Sequence, residues 1–180
     1  MIHYFIPYAT DKNLGKAYNY YASLVKNPED WICFIDADAM IGLVPEYGHR
    51  LEEYISMYPD TGLFTCLTNR VGTLEQCYNN TISEDPNILN HKKIAVELAT
   101  KNHGKVTQLN KVVSGMMFLI KKSVFDSVGG FPEDGRILGV DNKICEKILE
   151  KNLKILVIES IYLFHFYRMD TGRLDKSHLK

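Results

Sequence analysis

Two acidic residues one position apart, Asp36-Ala37-Asp38, follow directly on the apolar run from Trp31 to Ile35. On extended chain, side chains two residues apart point the same way. The two carboxylates can therefore converge into a hard oxygen site suited to Mg or Mn bridging a diphosphate. Two acids abutting an apolar strand are costly unless paired with a counter-charge, which favours a bound cation. The alternative is a turn or capping pair at a strand end, because Asp-x-Asp is a short pattern. Further along, His165 lies between Phe164 and Phe166. It reads either as a neutral imidazole ligand or as a half-buried histidine bonded to backbone. Asp141 heads a helical pattern and would make a good helix N-cap. Arg168, Arg173 and Lys176 lie on a polar tail, which is either a lid over an anionic group or a solvated end. Tyr8, Asn69 and Arg70 stand at strand ends, where a pocket-lining and a structural role are both open.

The elements that must position these residues follow from periodicity. Ile2 to Tyr8 is apolar and rich in β-formers, so it predicts a first strand. Leu14, Ala17, Tyr18, Tyr21 and Leu24 fall at helical spacing, ended by Asn27-Pro28. Trp31 to Ile35 predicts a strand covered on both faces. Leu51, Tyr54, Ile55 and Tyr58 mark a second helix, closed by a turn at Pro59-Asp60-Thr61-Gly62, and Leu63 to Leu67 the next strand. The polar stretch from Asn69 to Asn90 lacks periodicity and is long for a connection, which suggests a binding loop. Ile94 to Lys101 predicts a helix and Val112 to Ile120 a strand. Ser123 is placed to cap a short helix, Val124 to Val128, that Gly129-Gly130 ends. A last helix is expected over Asp141 to Lys151, then β-forming runs over Ile155 to Ile158 and Ile161 to Phe166. Helices alternating with buried strands predict a three-layer α/β architecture.

With 180 residues, the chain is long enough to bury a core in one domain. Its formal charge of -1 comes without a long basic run, which argues against nucleic-acid partners. Cys33, Cys66, Cys77 and Cys145 show no Cys-x-x-Cys spacing and are expected to be reduced, mostly buried thiols. No apolar run approaches the roughly 18 residues that span a bilayer, and no leader pattern opens the chain. A cytoplasmic protein without an integral membrane segment is expected, with peripheral membrane contact left open.

Several stretches occur in the order found in a known family. Asn13-Leu14-Gly15-Lys16-Ala17-Tyr18-Asn19 resembles an Asn-x-Gly-x-Ala helix start that precedes an Asp-x-Asp strand end. Ser114 to Lys122, leading to Val128-Gly129-Gly130-Phe131-Pro132-Glu133, is similar to the same family's acceptor-side strand, basic pair and Gly-Gly-Phe turn. Gly139-Val140-Asp141 stands where that family has an acidic pair ending in its base. Phe164-His165-Phe166-Tyr167-Arg168 resembles its C-terminal metal-histidine strand. On these motifs the chain resembles the family 2-like glycosyltransferases of the GT-A fold, in a compact single-domain form.

The resemblance implies a nucleotide-diphospho-sugar transferase fold, Rossmann-like, with a mixed, mostly parallel central sheet over residues 1–180. Residues 1–68 would form the nucleotide and metal half, and 69–180 the acceptor half with the tail. It further implies Asp38, Asp36 and His165 as ligands of Mn or Mg, with Asp36 also near the ribose, and Asp141 as base. Asn13, Lys16 and Arg168 would contact the nucleoside-diphosphate sugar donor. Only twelve residues precede Asn13, where the family usually has additional strands, so Thr10 and Asp11 are the expected substitutes for its base-reading acid. The expected reaction moves a hexose or deoxyhexose to a glycan or other hydroxyl acceptor, with inversion. A nucleotidyltransferase is the enzyme alternative, although a Gly-rich phosphate loop is lacking. A non-catalytic sugar-nucleotide-binding domain is the other, because fold does not prove activity.

Overall fold

The computed structural model describes residues 1–135 and 138–166. Among them are seven strands and five α-helices: β1 Ile2–Phe5, α1 Leu14–Leu24, β2 Trp31–Ile35, β3 Ala39–Met40, α2 Tyr47–Met57, β4 Thr61–Thr68, α3 Ile88–Lys101, β5 Val106–Leu109, β6 Met117–Lys121, α4 Lys122–Ser127, α5 Val140–Glu150 and β7 Lys154–His165. The fold class is α/β with one open mixed sheet, in the order β1-β2-β6-β4-β7-β3, with β5 also on β7. β1 with β2 and β4 with β7 are parallel. β6 is antiparallel to both β2 and β4, and β3 and β5 are antiparallel to β7. Antiparallel pairing is thus more extensive than a mostly parallel sheet, because β6 inserts against the direction shared by β1, β2, β4 and β7. Those four strands bring their carboxyl ends to one edge, and the amino end of β6 joins them there.

Every residue of β2 is buried, as expected for a strand covered on both faces. Ile32 and Phe34 pack with α1, α4 and α5, whereas Trp31, Cys33 and Ile35 pack with α2. α3 covers the end of β7 through Ala95, Leu98 and Ala99 against Tyr162 and Phe164. The two β-forming runs near the C-terminus are one strand, β7, whose pairing with β4 slips between Cys66 and Leu67. The bulge re-aims its second half, so that the strand pairs with β3 at its tip. All four cysteines are buried and unbridged.

Several expected boundaries move for local reasons. β6 starts only at Met117, and residues 112–116 form a loop at the carboxyl edge. Ser123 lies inside α4 rather than capping it, because the carbonyls of Asp30 and Pro28 already accept from the Lys122 and Ser123 N–H groups. β3 and β5 went unforeseen, being short and partly polar.

Two of the family-like stretches interlock. Gly15 lies against the Phe131-Pro132 backbone so closely that a Cβ there would stand 1.8 Å from the Pro132 carbonyl oxygen. Four residues on, Asn19 accepts from the Phe131 N–H at 2.9 Å and donates to the Phe131 carbonyl at 3.0 Å and to Glu133 at 2.8 Å. Gly130 has φ +63°, and a Cβ on it would meet Asn19 Oδ1 at 2.5 Å. The start of α1 and the Gly-Gly-Phe turn therefore fix each other's position.

Helix propensity alone would reward Gly15→Ala by about 1 kcal/mol. The clash with a backbone carbonyl outweighs that, and overpacking of this kind costs about 1–3 kcal/mol. Urea unfolding should show Gly15→Ala less stable than the parent; equal or greater stability would contradict the interlock.

Candidate metal centre

Asp36, Asp38 and His165 each offer a ligand atom, and these atoms lie within 4.8 Å of one another. The convergence does not come from extended chain. Directly after β2 the backbone turns, with the Ala39 N–H bonded to the Asp36 carbonyl at 3.0 Å. β3 then pairs with the tip of β7, Ala39 opposite His165, and the Phe166 N–H reaches the Asp38 carbonyl at 2.9 Å. This two-residue strand folds Asp38 back over His165. The turn reading and the cation reading of Asp-x-Asp are thus compatible: the turn is what gathers the acids.

His165 is fully rather than half buried, and it is bonded to backbone as one of its readings expected. Its Nδ1 lies 2.8 Å from the Arg70 carbonyl, which can only accept, so Nδ1 carries the hydrogen. Nε2 is then the nitrogen facing the acids, 3.2 Å from Asp38 Oδ1 and 3.9 Å from Asp36 Oδ2. Asn69, fully buried just past β4, grips the same residue through its backbone. Its Oδ1 accepts from the His165 N–H at 2.7 Å and its Nδ2 donates to the His165 carbonyl at 3.1 Å. A backbone carbonyl that sets the tautomer is the usual support for a metal-binding histidine. The Asn69 side chain and the Arg70 backbone thus serve the site, while the Arg70 side chain pairs with Glu84.

The electrostatics are lopsided. Burial pushes the Asp36 carboxyl up to about 6, helped by the charge of Asp38 and opposed by His165 and by the Tyr18 hydroxyl. Burial also raises Asp38, but the His165 hydrogen bond and charge outweigh it and hold Asp38 below its ordinary value. Burial disfavours a charged His165, yet Asp38 outweighs burial and raises its pKa. The imidazole is 4% exposed while the Asp36 and Asp38 side chains are 36% and 49% exposed, so the cluster opens to solvent on its acidic side. Two carboxylate oxygens and an imidazole nitrogen are a donor set that could hold a divalent cation.

Asp141 lies at the same edge. It sits in the first turn of α5, whose N-cap is Gly139, so it does not cap the helix. Its Oδ2 accepts from the Gly115 N–H at 3.1 Å and its Oδ1 from the Asn142 N–H at 3.0 Å. The next residue along, Met116, accepts the Asp36 N–H at 3.0 Å, so one loop holds both acids. Burial raises the Asp141 pKa, against its backbone hydrogen bonds, and its charge is felt at Asp36. Gln76 braces this loop: it accepts from the Ser114 N–H at 2.7 Å and donates to the Ser114 carbonyl at 3.1 Å and to Thr65 at 2.8 Å. Within the stretch from Asn69 to Asn90, expected as a binding loop, Gln76 is fully buried and the Asp85 carbonyl meets the buried His91 of α3.

The other expected contacts are not gathered at the cluster. Asn13 caps α1, accepting from the Lys16 N–H at 3.1 Å, and its own N–H is held by Asp11 at 3.1 Å. Lys16 pairs with Asp11 at 3.8 Å, and Thr10 and Tyr8 are exposed. Capping accounts for the residue types of Asp11 and Asn13. Arg168, Arg173 and Lys176 lie outside the described residues. No helix among the described residues is long and apolar enough to cross a membrane.

Tyr18 and Gln76 are the site residues that sequence reasoning missed. Tyr18 read only as one more apolar position in α1, yet its hydroxyl reaches Asp36 Oδ1 at 3.3 Å. Gln76 carried no periodic or motif signal at all.

Asp36 keeps its proton in the folded chain up to about pH 6 but only to its ordinary 3.8 when unfolded. Between those values the native state binds more protons, so stability falls as pH rises. His165, raised above 6.5, continues the fall at higher pH. At neutral pH the cation-free Asp36→Asn variant should therefore melt higher than the parent, by roughly 2–4 °C for each kcal/mol relieved. Saturating manganese should raise the melting midpoint of the parent but not of the variant to the same degree. A variant that melts lower in the absence of cation would contradict the charge imbalance. No protein-family model matches the chain, and no curated protein matches it either, so its chemistry rests on the geometry of this edge.

Proposed function

We propose that the chain is a metal-dependent glycosyltransferase of the GT-A kind, transferring a hexose or deoxyhexose from a nucleoside-diphosphate sugar to a hydroxyl acceptor with inversion. The observation that carries this reading is the gathering of Asp36, Asp38 and His165 at the carboxyl edge of the sheet, with Asp141 held by the adjoining loop. In open α/β sheets this edge is where ligands bind. A cation held by Asp38, Asp36 and His165 would supply positive charge against the diphosphate as it leaves.

The chain's own residues do the rest. Asp141 presents a carboxylate whose oxygens each accept one backbone N–H, which fixes its orientation and leaves lone pairs for a proton. As the acceptor oxygen bonds to the anomeric carbon, its proton passes to Asp141, and the bond from that carbon to the phosphate oxygen breaks. Displacement from the opposite face inverts the centre. A pKa raised by burial brings Asp141 closer to neutral pH and makes it a better base than an exposed aspartate. His165 and Asp38 hold the geometry on the leaving side.

Release of nucleoside diphosphate, measured with manganese and a panel of sugar donors, tests the proposal. Asp38→Ala should abolish both cation uptake and turnover. Asp141→Asn should still bind donor and manganese but lose transfer by about 100-fold or more, the usual share of a general base. In the parent, the rate should fall on acidification at a pH above the ordinary aspartate value, as Asp141 takes up its proton. Full transfer by Asp141→Asn would remove it as base, and no donor turnover with any sugar would remove the transferase reading.

A further inference from the structure

Tyr18 is 4% exposed, and its hydroxyl is the polar end of an otherwise apolar position. A buried phenol needs a partner, and this one donates to Asp36 Oδ1 at 3.3 Å. The other oxygen of the same carboxylate, Oδ2, is the one that faces His165 Nε2, at 3.9 Å. We propose that Tyr18 is a positioning residue that sets cation preference: by bonding Oδ1 it fixes the plane of the Asp36 carboxylate and turns Oδ2 toward the cation, which disfavours symmetric ligation through both oxygens. The inference rests on the metal-site reading above.

The consequence follows from coordination chemistry. Ca²⁺ takes about six to eight oxygens and accepts carboxylates through both oxygens, whereas Mg²⁺ requires near-octahedral ligands from a compact set. A carboxylate held in an orientation that presents one oxygen favours the smaller cations. Tyr18 cannot drift to relax this restriction. Its ring lies edge-on to Phe34 at 4.7 Å and against Phe131 at 4.4 Å. Phe131 is gripped by Asn19 on both its N–H and its carbonyl, and Lys147 donates to the Gly130 carbonyl at 3.2 Å. The Gly-Gly-Phe turn thus determines where the hydroxyl stands, and the hydroxyl determines how the Asp36 carboxylate is turned. Packing alone would be served as well by phenylalanine.

Calorimetric titration of the cation-free full chain with MnCl₂ and with CaCl₂ tests this without reference to turnover. The parent should bind Mn²⁺ more tightly than Ca²⁺, and Tyr18→Phe should shift that ratio toward Ca²⁺ by roughly tenfold, since the released carboxylate can rotate to bidentate ligation. In an Asp36→Asn background, Tyr18→Phe should leave the ratio unchanged, because the two act as one unit. Should Tyr18→Phe melt too low for titration, Phe131→Leu is the second variant. It removes the ring wedge but keeps the hydroxyl and carboxylate, and should move the ratio the same way by a smaller factor. An unchanged ratio in the variant that is titrated, or a shift that persists without the Asp36 carboxylate, overturns the inference while leaving the metal site standing. Failure of the parent to take up either cation overturns the metal-site reading and this inference with it.

Discussion

A single nitrogen, Nε2 of His165, faces both acids of the Asp36-Ala37-Asp38 turn, and the arrangement at the sheet edge depends on that contact. One imidazole can offset at most one negative charge, yet Asp36, Asp38 and the nearby Asp141 bring three. The response is visible in the acids themselves: burial, helped by the charge of Asp38, pushes the Asp36 carboxyl up to about 6, while the imidazole holds Asp38 below its ordinary value. A bound cation would relieve this imbalance, and perturbed carboxylates gathered at one edge are what makes the cluster a candidate site.

The rest of the fold can be understood as what this charge imbalance requires. β7 is bulged so that its tip delivers His165, Asn69 extends β4 past its last paired residue to clamp that tip, and β3 turns the acids over it. On the opposite side, the loop of Ser114, Gly115 and Met116 bonds Asp36 and Asp141 from adjacent residues, and Gln76 fixes the loop from beneath. α1 closes the arrangement, since Gly15 and Asn19 lock it to the Gly-Gly-Phe turn and Tyr18 projects from it to Asp36. In the proposed transfer, the acceptor-side turn and the cation side are therefore mechanically continuous.

Periodicity made most of this architecture legible. β2, buried along its whole length, was readable to the residue from Trp31 to Ile35, and α1, α2 and α5 were readable from their apolar spacing within a few residues. The acids and the histidine were legible as chemistry because ionisable groups abutting apolar strands are costly without a purpose. What brings them together was not. A two-residue strand carries too little pattern to be seen, and a strand bulge is invisible in a run of β-formers that looks like two separate strands. Gln76 and Tyr18 act through long-range hydrogen bonds that no local signal encodes. Asp11 and Asn13 serve caps, as short polar side chains near a helix start commonly do, and the Lys16 ammonium pairs with Asp11.

The most direct test of the central claim is the anomalous scattering of manganese in crystals of the protein soaked with MnCl₂. A peak should stand between Asp38, Asp36 Oδ2 and His165 Nε2, at ligand distances of roughly 2.0–2.6 Å, the span from magnesium to calcium sites. The His165–Asp38 hydrogen bond should be broken in its favour. Crystals in which that hydrogen bond persists, and manganese is found elsewhere or nowhere, would contradict the account.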